Sequence, residues 1–211
     1  MILCSSTSAG DLAAFGPTLS PTSFPSLNNT GEPLTLVNAS GTVIHAVSYN
    51  LDWYHDAAKQ DGGWTLEMIN TKSPCSGISN WKASTDVKGG TPGAINSANG
   101  GTADLAGPKL LSAFVTDPTH IILYFDETLD SLKGATIANY SLTGGITVTE
   151  ALTVGPLFDA VKLTLGTALT TGIEYTVTPA TAITDCLGNA VTTDNTAKLF
   201  VASPATNFDH V

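Results

Sequence analysis

Apolar and polar residues alternate one for one in two stretches of the second half of the chain. Val161, Leu163 and Leu165, then Tyr175 and Val177, are separated by Lys162, Thr164 and Thr176. A period of two puts every second side chain on one face of a strand, so each stretch predicts a half-buried β-strand. Thr and Val dominate both, which disfavours the helical alternative. Short apolar runs separated by turn residues recur throughout this half and predict strands over 109–115, 120–125, 139–142, 146–149, 160–165, 174–179 and 198–202. Seven short strands in about a hundred residues fit one Greek-key sandwich. Only LDSLKGATIANY, residues 129–140, offers a helical turn, and its glycine keeps that turn short.

The first half is less regular. Residues 34–37 and 42–49 flank the turn NASG at 38–41, a hairpin by its turn chemistry. Residues 5–32, rich in Ser, Thr, Pro and Gly, read as a long irregular connection. In DGGWTLEMIN, residues 61–70, two glycines let the chain turn into a strand over 64–69. Alternation there places Trp64, Leu66 and Met68 on one face and Glu67 on the other, so Trp64 and Leu66, with Trp81, are the expected core of this half. Between the halves, KGGTPGAINSANGGTADLAGP at 88–108 has no apolar period and reads as a Gly/Pro/Ser-rich linker or long surface loop. The expected layout is a domain over 1–100, a second over 108–202 and a tail over 203–211. The halves do not repeat one another.

Composition narrows the class of partner. The chain has 211 residues, 42% of them hydrophobic and only 12% charged, the balance of an all-β surface protein. Eighteen acidic residues against eight basic give a net charge of -10, which repels nucleic-acid backbones and anionic lipid headgroups. Acidic loops attract Ca²⁺ in general, yet no EF-hand pattern is present, and no cofactor is expected beyond that generic possibility. No apolar run reaches the roughly 18 residues that a membrane span needs. The opening MILCSS lacks a charged leader, so a signal peptide is not in this chain and residues upstream are expected. Cys4, Cys75 and Cys186 include no C-x-x-C pair, against structural zinc or a redox motif. Two readings stay open for them: one disulfide with a spare thiol, for which Cys4 with Cys75 is a candidate pair, or three buried inert thiols.

The densest group of reactive side chains is YNLDWYHD, with Tyr49, Asp52, Trp53, Tyr54, His55 and Asp56. Its functional reading is a sugar-stacking or cation-binding loop. The structural reading, a strand end whose rings cover a core edge while its charges face water, carries more weight. His45 and His55 stand ten apart with no second zinc-ligand spacing, and His45 is expected to point outward. No G-x-S-x-G elbow accompanies the serines. Asp126 with Glu127 and Asp52 with Asp56 lie in predicted turns, where solvated surface roles outnumber acid–base work. DCLGNAV at 185–191 reads as a turn in which Asp185 and Asn189 satisfy backbone N–H groups.

Two stretches of the chain resemble known families. The GGWTLE strand from Gly62 to Glu67, the Asn80-Trp81 pair and the TPG close at Thr91 to Gly93 make residues 1–100 resemble the lamin-tail domain of secreted Bacteroidetes-type proteins. The family's opening strands are missing before MILC, so the domain is incomplete at its N-terminus by that pattern, and an open edge that recruits another strand is expected. PKLLSAFVTDPTHIILYFDETLD and ITDCLGNAV make residues 108–202 resemble a bacterial Ig-like domain of surface-layer and adhesin proteins.

These resemblances imply an all-β chain of two Ig-like β-sandwiches, secreted or at the cell surface in association with an outer membrane. They imply no catalytic residues, and a role in adhesion, protein interaction or spacing of neighbouring domains, with a protein or cell-surface glycan as partner. The alternatives are accessory domains of a larger secreted nuclease- or phosphatase-type hydrolase, and a carbohydrate-binding module using Trp53, Tyr54 and Tyr49.

Overall fold

A computed structural model describes residues 1–201; the expected tail at 203–211 and the last residue of the strand expected at 198–202 lie outside them. The protein is mostly β and forms two compact units, Met1–Ala103 and Asp104–Val211.

Unit 1 is built from three separate strand pairs among the described residues, so its sheets are ribbons. Strand β1 (Ile2–Leu3) runs parallel to β2 (Thr18–Leu19), with a short helix α1 (Ala9–Leu12) between them. Strands β3 (Gly31–Val37) and β4 (Val43–Asn50) form the expected hairpin, in a register that pairs Gly31 with Asn50 and Leu36 with His45. Its turn is held by the Asn38 carboxamide oxygen, which accepts from the backbone N–H of Ser40 at 3.0 Å and of Thr42 at 2.9 Å. Strands β5 (Leu66–Met68) and β6 (Trp81–Ala83) pair antiparallel.

The faces of β5 are exchanged relative to the expectation. Glu67 is the buried residue, 4% exposed, while Trp64, Leu66 and Met68 are half-buried, as is Trp81. The reason is what lies opposite. Residues 91–98, expected to be linker, fold back onto β5 with hydrogen-bond donors: Thr91 Oγ1 donates to one carboxylate oxygen of Glu67 at 2.6 Å, and Ser97 Oγ (2.7 Å) and the Ala98 N–H (2.9 Å) donate to the other. A carboxylate that accepts several such bonds is stable where a lone one is not. Burial alone would push the Glu67 carboxyl up, but the donors from Thr91, Ser97, Ala98 and Ser84 outweigh it and hold the group at about 2. Gly89 belongs to the same fold-back: a Cβ there would lie 1.9 Å from the Gly63 carbonyl oxygen, so only glycine allows the approach. Asn80, also buried, donates to the Asn70 and Ser73 carbonyls at 2.9 and 2.6 Å. Polar contacts therefore do in unit 1 much of what apolar packing does in unit 2.

Two further expectations need correction. His45 does not simply face water, because its Nε2 is covered and has no hydrogen-bond partner among the described residues. Cys4 is a free, buried thiol, so the candidate pair with Cys75 does not form, and neither does the alternative of three free thiols, since Cys75 and Cys186 are both disulfide-bonded.

Among the described residues, unit 2 has two antiparallel sheets. Strands β7 (Leu110–Asp117) and β8 (His120–Phe125) are followed by a capped turn α2 (Ser131–Gly134), where the Asp130 carboxylate accepts from the Leu132 and Lys133 N–H groups, and then by β9 (Tyr140–Leu142). Next come β10 (Val148–Thr153), β11 (Ala160–Leu165), β12 (Glu174–Pro179) and β13 (Ala197–Phe200). The sheet orders are β10-β11-β8-β7 and β13-β12-β9. Ile121, Leu123, Val161 and Leu163 from the first sheet share one core with Tyr175, Val177 and Leu199 from the second. The period of two in β11 and β12 is what fills that core: Val161, Leu163, Leu165, Tyr175 and Val177 are buried, and Lys162 and Glu174 are exposed.

Candidate functional site

The inward alternation of β8 does not stop where its pairing stops. Ile121, Leu123 and Phe125 are buried, and the same period carries Glu127 and Leu129 inward while Asp126 is exposed. Glu127 thus occupies a core-side position, 9% exposed, at the rim of the sandwich. Leu129 bridges to Asp185, which brings the turn 185–191 alongside.

Asp185 is 1% exposed, and its carboxylate organises that turn. One oxygen accepts from the Leu187 and Asn189 N–H groups at 2.9 and 2.8 Å, and the other from Asn189 Nδ2 at 2.9 Å. The chain entering unit 2 completes the arrangement. Asn189 Nδ2 also donates to the Asp104 carbonyl at 3.2 Å, and the Ala106 N–H donates to the Asp104 carboxylate at 3.1 Å. Gly107 lets this segment close in, since a Cβ there would sit 1.9 Å from the Ala190 carbonyl oxygen.

The outcome is three carboxyl groups, of Asp104, Glu127 and Asp185, with one oxygen of each lying within 4.8 Å of the others. Burial pushes the Glu127 carboxyl up to about 8, reinforced by the negative charges of Asp104, Asp126 and Asp185, against the opposing charge of Lys109. Such a cluster can share a proton or hold a cation. Sequence reasoning placed Asp126 with Glu127 among solvated turn residues; the signal it passed over was the unbroken period of two from 121 to 129.

The aromatic and acidic residues singled out in unit 1 lie together but are engaged locally. Trp53 is buried against Trp81, ring centroids 5.8 Å apart at 43°, and has no open face for a sugar ring. The Tyr54 hydroxyl donates to the Trp64 carbonyl at 3.2 Å, and the Tyr49 hydroxyl donates to the Asn28 carbonyl. The Asp56 carboxylate caps a short turn by accepting from the Ala58 N–H at 3.1 Å, whereas the Asp52 side chain is exposed. Lys59 lies over the Trp64 ring, its ammonium 4.1 Å from the centroid, and donates to the Ser84 carbonyl at 2.7 Å. Trp64 borders an open cleft of about 400 Å³ that it shares with Phe15, Lys88 and Pro92.

Because Trp53 is buried and Trp64 is not, their truncations should differ. Trp53→Ala is expected to cost about 3 kcal/mol and Trp64→Ala about 1–2 kcal/mol, read as shifts in urea midpoint. Equal shifts would count against this assignment of the two rings.

No family model matches this chain, and no curated protein does. Among solved structures it is similar to three of the S-layer protein SbsC: a long crystallised portion, the N-terminal part, and domains 1 to 6. The identities are 23%, 22% and 23%, each match covers 46% of this chain, and each has a TM-score of 0.42. The chain spans only 14%, 24% and 14% of those proteins' own lengths. A likeness at that level assigns no function.

Proposed function

We propose that this chain is a non-catalytic module of a secreted or cell-surface protein, one that spaces or presents neighbouring domains and engages a protein or glycan partner. The observation that carries this reading is the disulfide bonding of Cys75 and Cys186, since such bonds persist in oxidising, extracytoplasmic compartments. The local use of the reactive-looking groups supports the non-catalytic part: Trp53, Tyr54 and Asp56 are engaged in packing, a backbone contact and a turn cap. The resemblances of residues 1–100 to lamin-tail domains and of 108–202 to bacterial Ig-like domains point the same way, with fold analogy bearing on role only weakly. Self-association through an open strand edge of unit 1 belongs to the same proposal.

Thiol mapping of the protein from its native host tests it. Cys75 and Cys186 should resist alkylation without reductant while denatured protein alkylates at Cys4, and added protease should reach the chain on intact cells or in the secreted fraction. Three free thiols in a protease-protected, cytosolic protein would sink the reading.

A further inference from the structure

We propose that Asp104, Glu127 and Asp185 form a binding site for a hard divalent cation, calcium in particular. The three carboxyl groups come from separate parts of unit 2: the entering segment, the extension of β8, and the turn before β13. Proximity of acidic groups alone would prove little, because exposed clusters are common.

The deciding feature is Glu127. It is 9% exposed, stands at a core-side register position, faces two other carboxyl groups, and accepts no hydrogen bond among the described residues. Buried carboxylates are otherwise satisfied by donors, as Glu67 is here by Thr91, Ser97 and Ala98. The same chain therefore shows both treatments of a buried glutamate, and only one of them includes donors. Around Glu127 the nearest charged groups are Asp104, Asp126 and Asp185, with Lys109 the opposing cation. Lys133 is turned elsewhere, donating to Thr184 Oγ1 at 3.0 Å.

The donor chemistry selects the ion class. All three ligating atoms are carboxylate oxygens, with no sulfur or imidazole in the set, which suits calcium or magnesium over zinc or copper. Oxygens lying within 4.8 Å of one another fit around an ion at the roughly 2.3–2.6 Å typical of calcium, whereas magnesium, at about 2.0–2.1 Å, would need a tighter cage. Asp185 is pre-set for the role because its turn is already fixed by the Leu187 and Asn189 N–H groups. The site joins the entering segment to the turn 185–191, so a bound ion would tie the beginning of unit 2 to its rim. Calcium affinities of extracellular modules, about 0.1–1 mM, set the expected range.

The test uses the full chain, freed of metal by chelation. Terbium luminescence and thermal melts are followed during titration with calcium chloride, with magnesium chloride as comparison. Wild type should sensitise terbium at one site per chain, release it to calcium, and melt several degrees higher in calcium than in EDTA. Glu127→Gln, which keeps the shape and removes the charge, should weaken calcium binding at least tenfold and abolish the melting shift, while melting in EDTA no lower than wild type. Glu174→Gln, at an exposed glutamate that pairs with Lys198, should leave calcium binding unchanged. The proposal is overturned if wild type shows no calcium-dependent melting shift, if magnesium at equal concentration matches calcium, or if Glu127→Gln binds as wild type does. Should Glu127→Gln fail to fold, the wild-type melting shift and its selectivity for calcium decide the matter alone.

Discussion

Replacing Glu67 with Leu should unfold unit 1 under conditions in which wild type is folded. The substitution would leave the half-buried Thr91 and Ser97 hydroxyls and the buried Ala98 N–H without their acceptor. Each stranded donor costs about 1–3 kcal/mol, so a loss on the order of 4 kcal/mol is expected, a large share of the stability of a small domain. The measurement is direct because all three tryptophans, Trp53, Trp64 and Trp81, lie in unit 1, and their fluorescence reports its urea unfolding alone. A midpoint equal to that of wild type would remove Glu67 from the heart of the unit.

The same group makes unit 1 acid-sensitive. Its carboxyl is held at about 2, below the ordinary 4.5 of the unfolded chain. A depressed acid contributes stability that is fully present above the unfolded value and is lost as pH falls toward the folded one. The loss should therefore run from about pH 4.5 down to about pH 2 and amount to about 3 kcal/mol. Glu67→Gln, which cannot titrate, should show a smaller fall in urea midpoint over that window than wild type.

The second large effect belongs to unit 2. Leu163 is fully buried in β11, within the one core that residues of both sheets share. Leu163→Ala should cost about 3–5 kcal/mol, since the surrounding strands cannot collapse into the space without breaking their pairing. Calorimetry should show the transition of unit 2 displaced by more than ten degrees, while the tryptophan-monitored unfolding of unit 1 stays near its wild-type position. A melt close to wild type would contradict the core described here.

These two variants also mark how differently the units could be read in advance. In unit 2 the strands at 120–125, 160–165 and 174–179 stand where the short apolar runs put them, because each buried side chain there is apolar and faces one shared core. In unit 1 the hairpin was legible from its turn residues, but the burial of Glu67 was not. Alternation alone says that Glu67 and Leu66 face opposite ways; it does not say which side the fold-back of 91–98 will cover. That segment looked like linker because it has no apolar period, and it has none because it contributes hydroxyls and an N–H.

The acidic cluster was hidden for a related reason. Asp104, Glu127 and Asp185 are far apart along the chain, and each was assigned to a linker or a turn by its neighbours. The period of two through Glu127 was present in the residues, yet a carboxyl at an inward position gains its meaning only from what else arrives there.

What the chain's residues determined by themselves was its β-rich class, the turn at 38–41, and the apolar faces of β11 and β12, because these depend on short-range periodicity and turn chemistry. The tertiary structure alone decided that Glu67 is surrounded by donors, that Glu127 lies mostly buried beside two other carboxyl groups, and that Cys4 stays free. Each of those outcomes depends on which distant segments meet, and local patterns carry no record of the meeting.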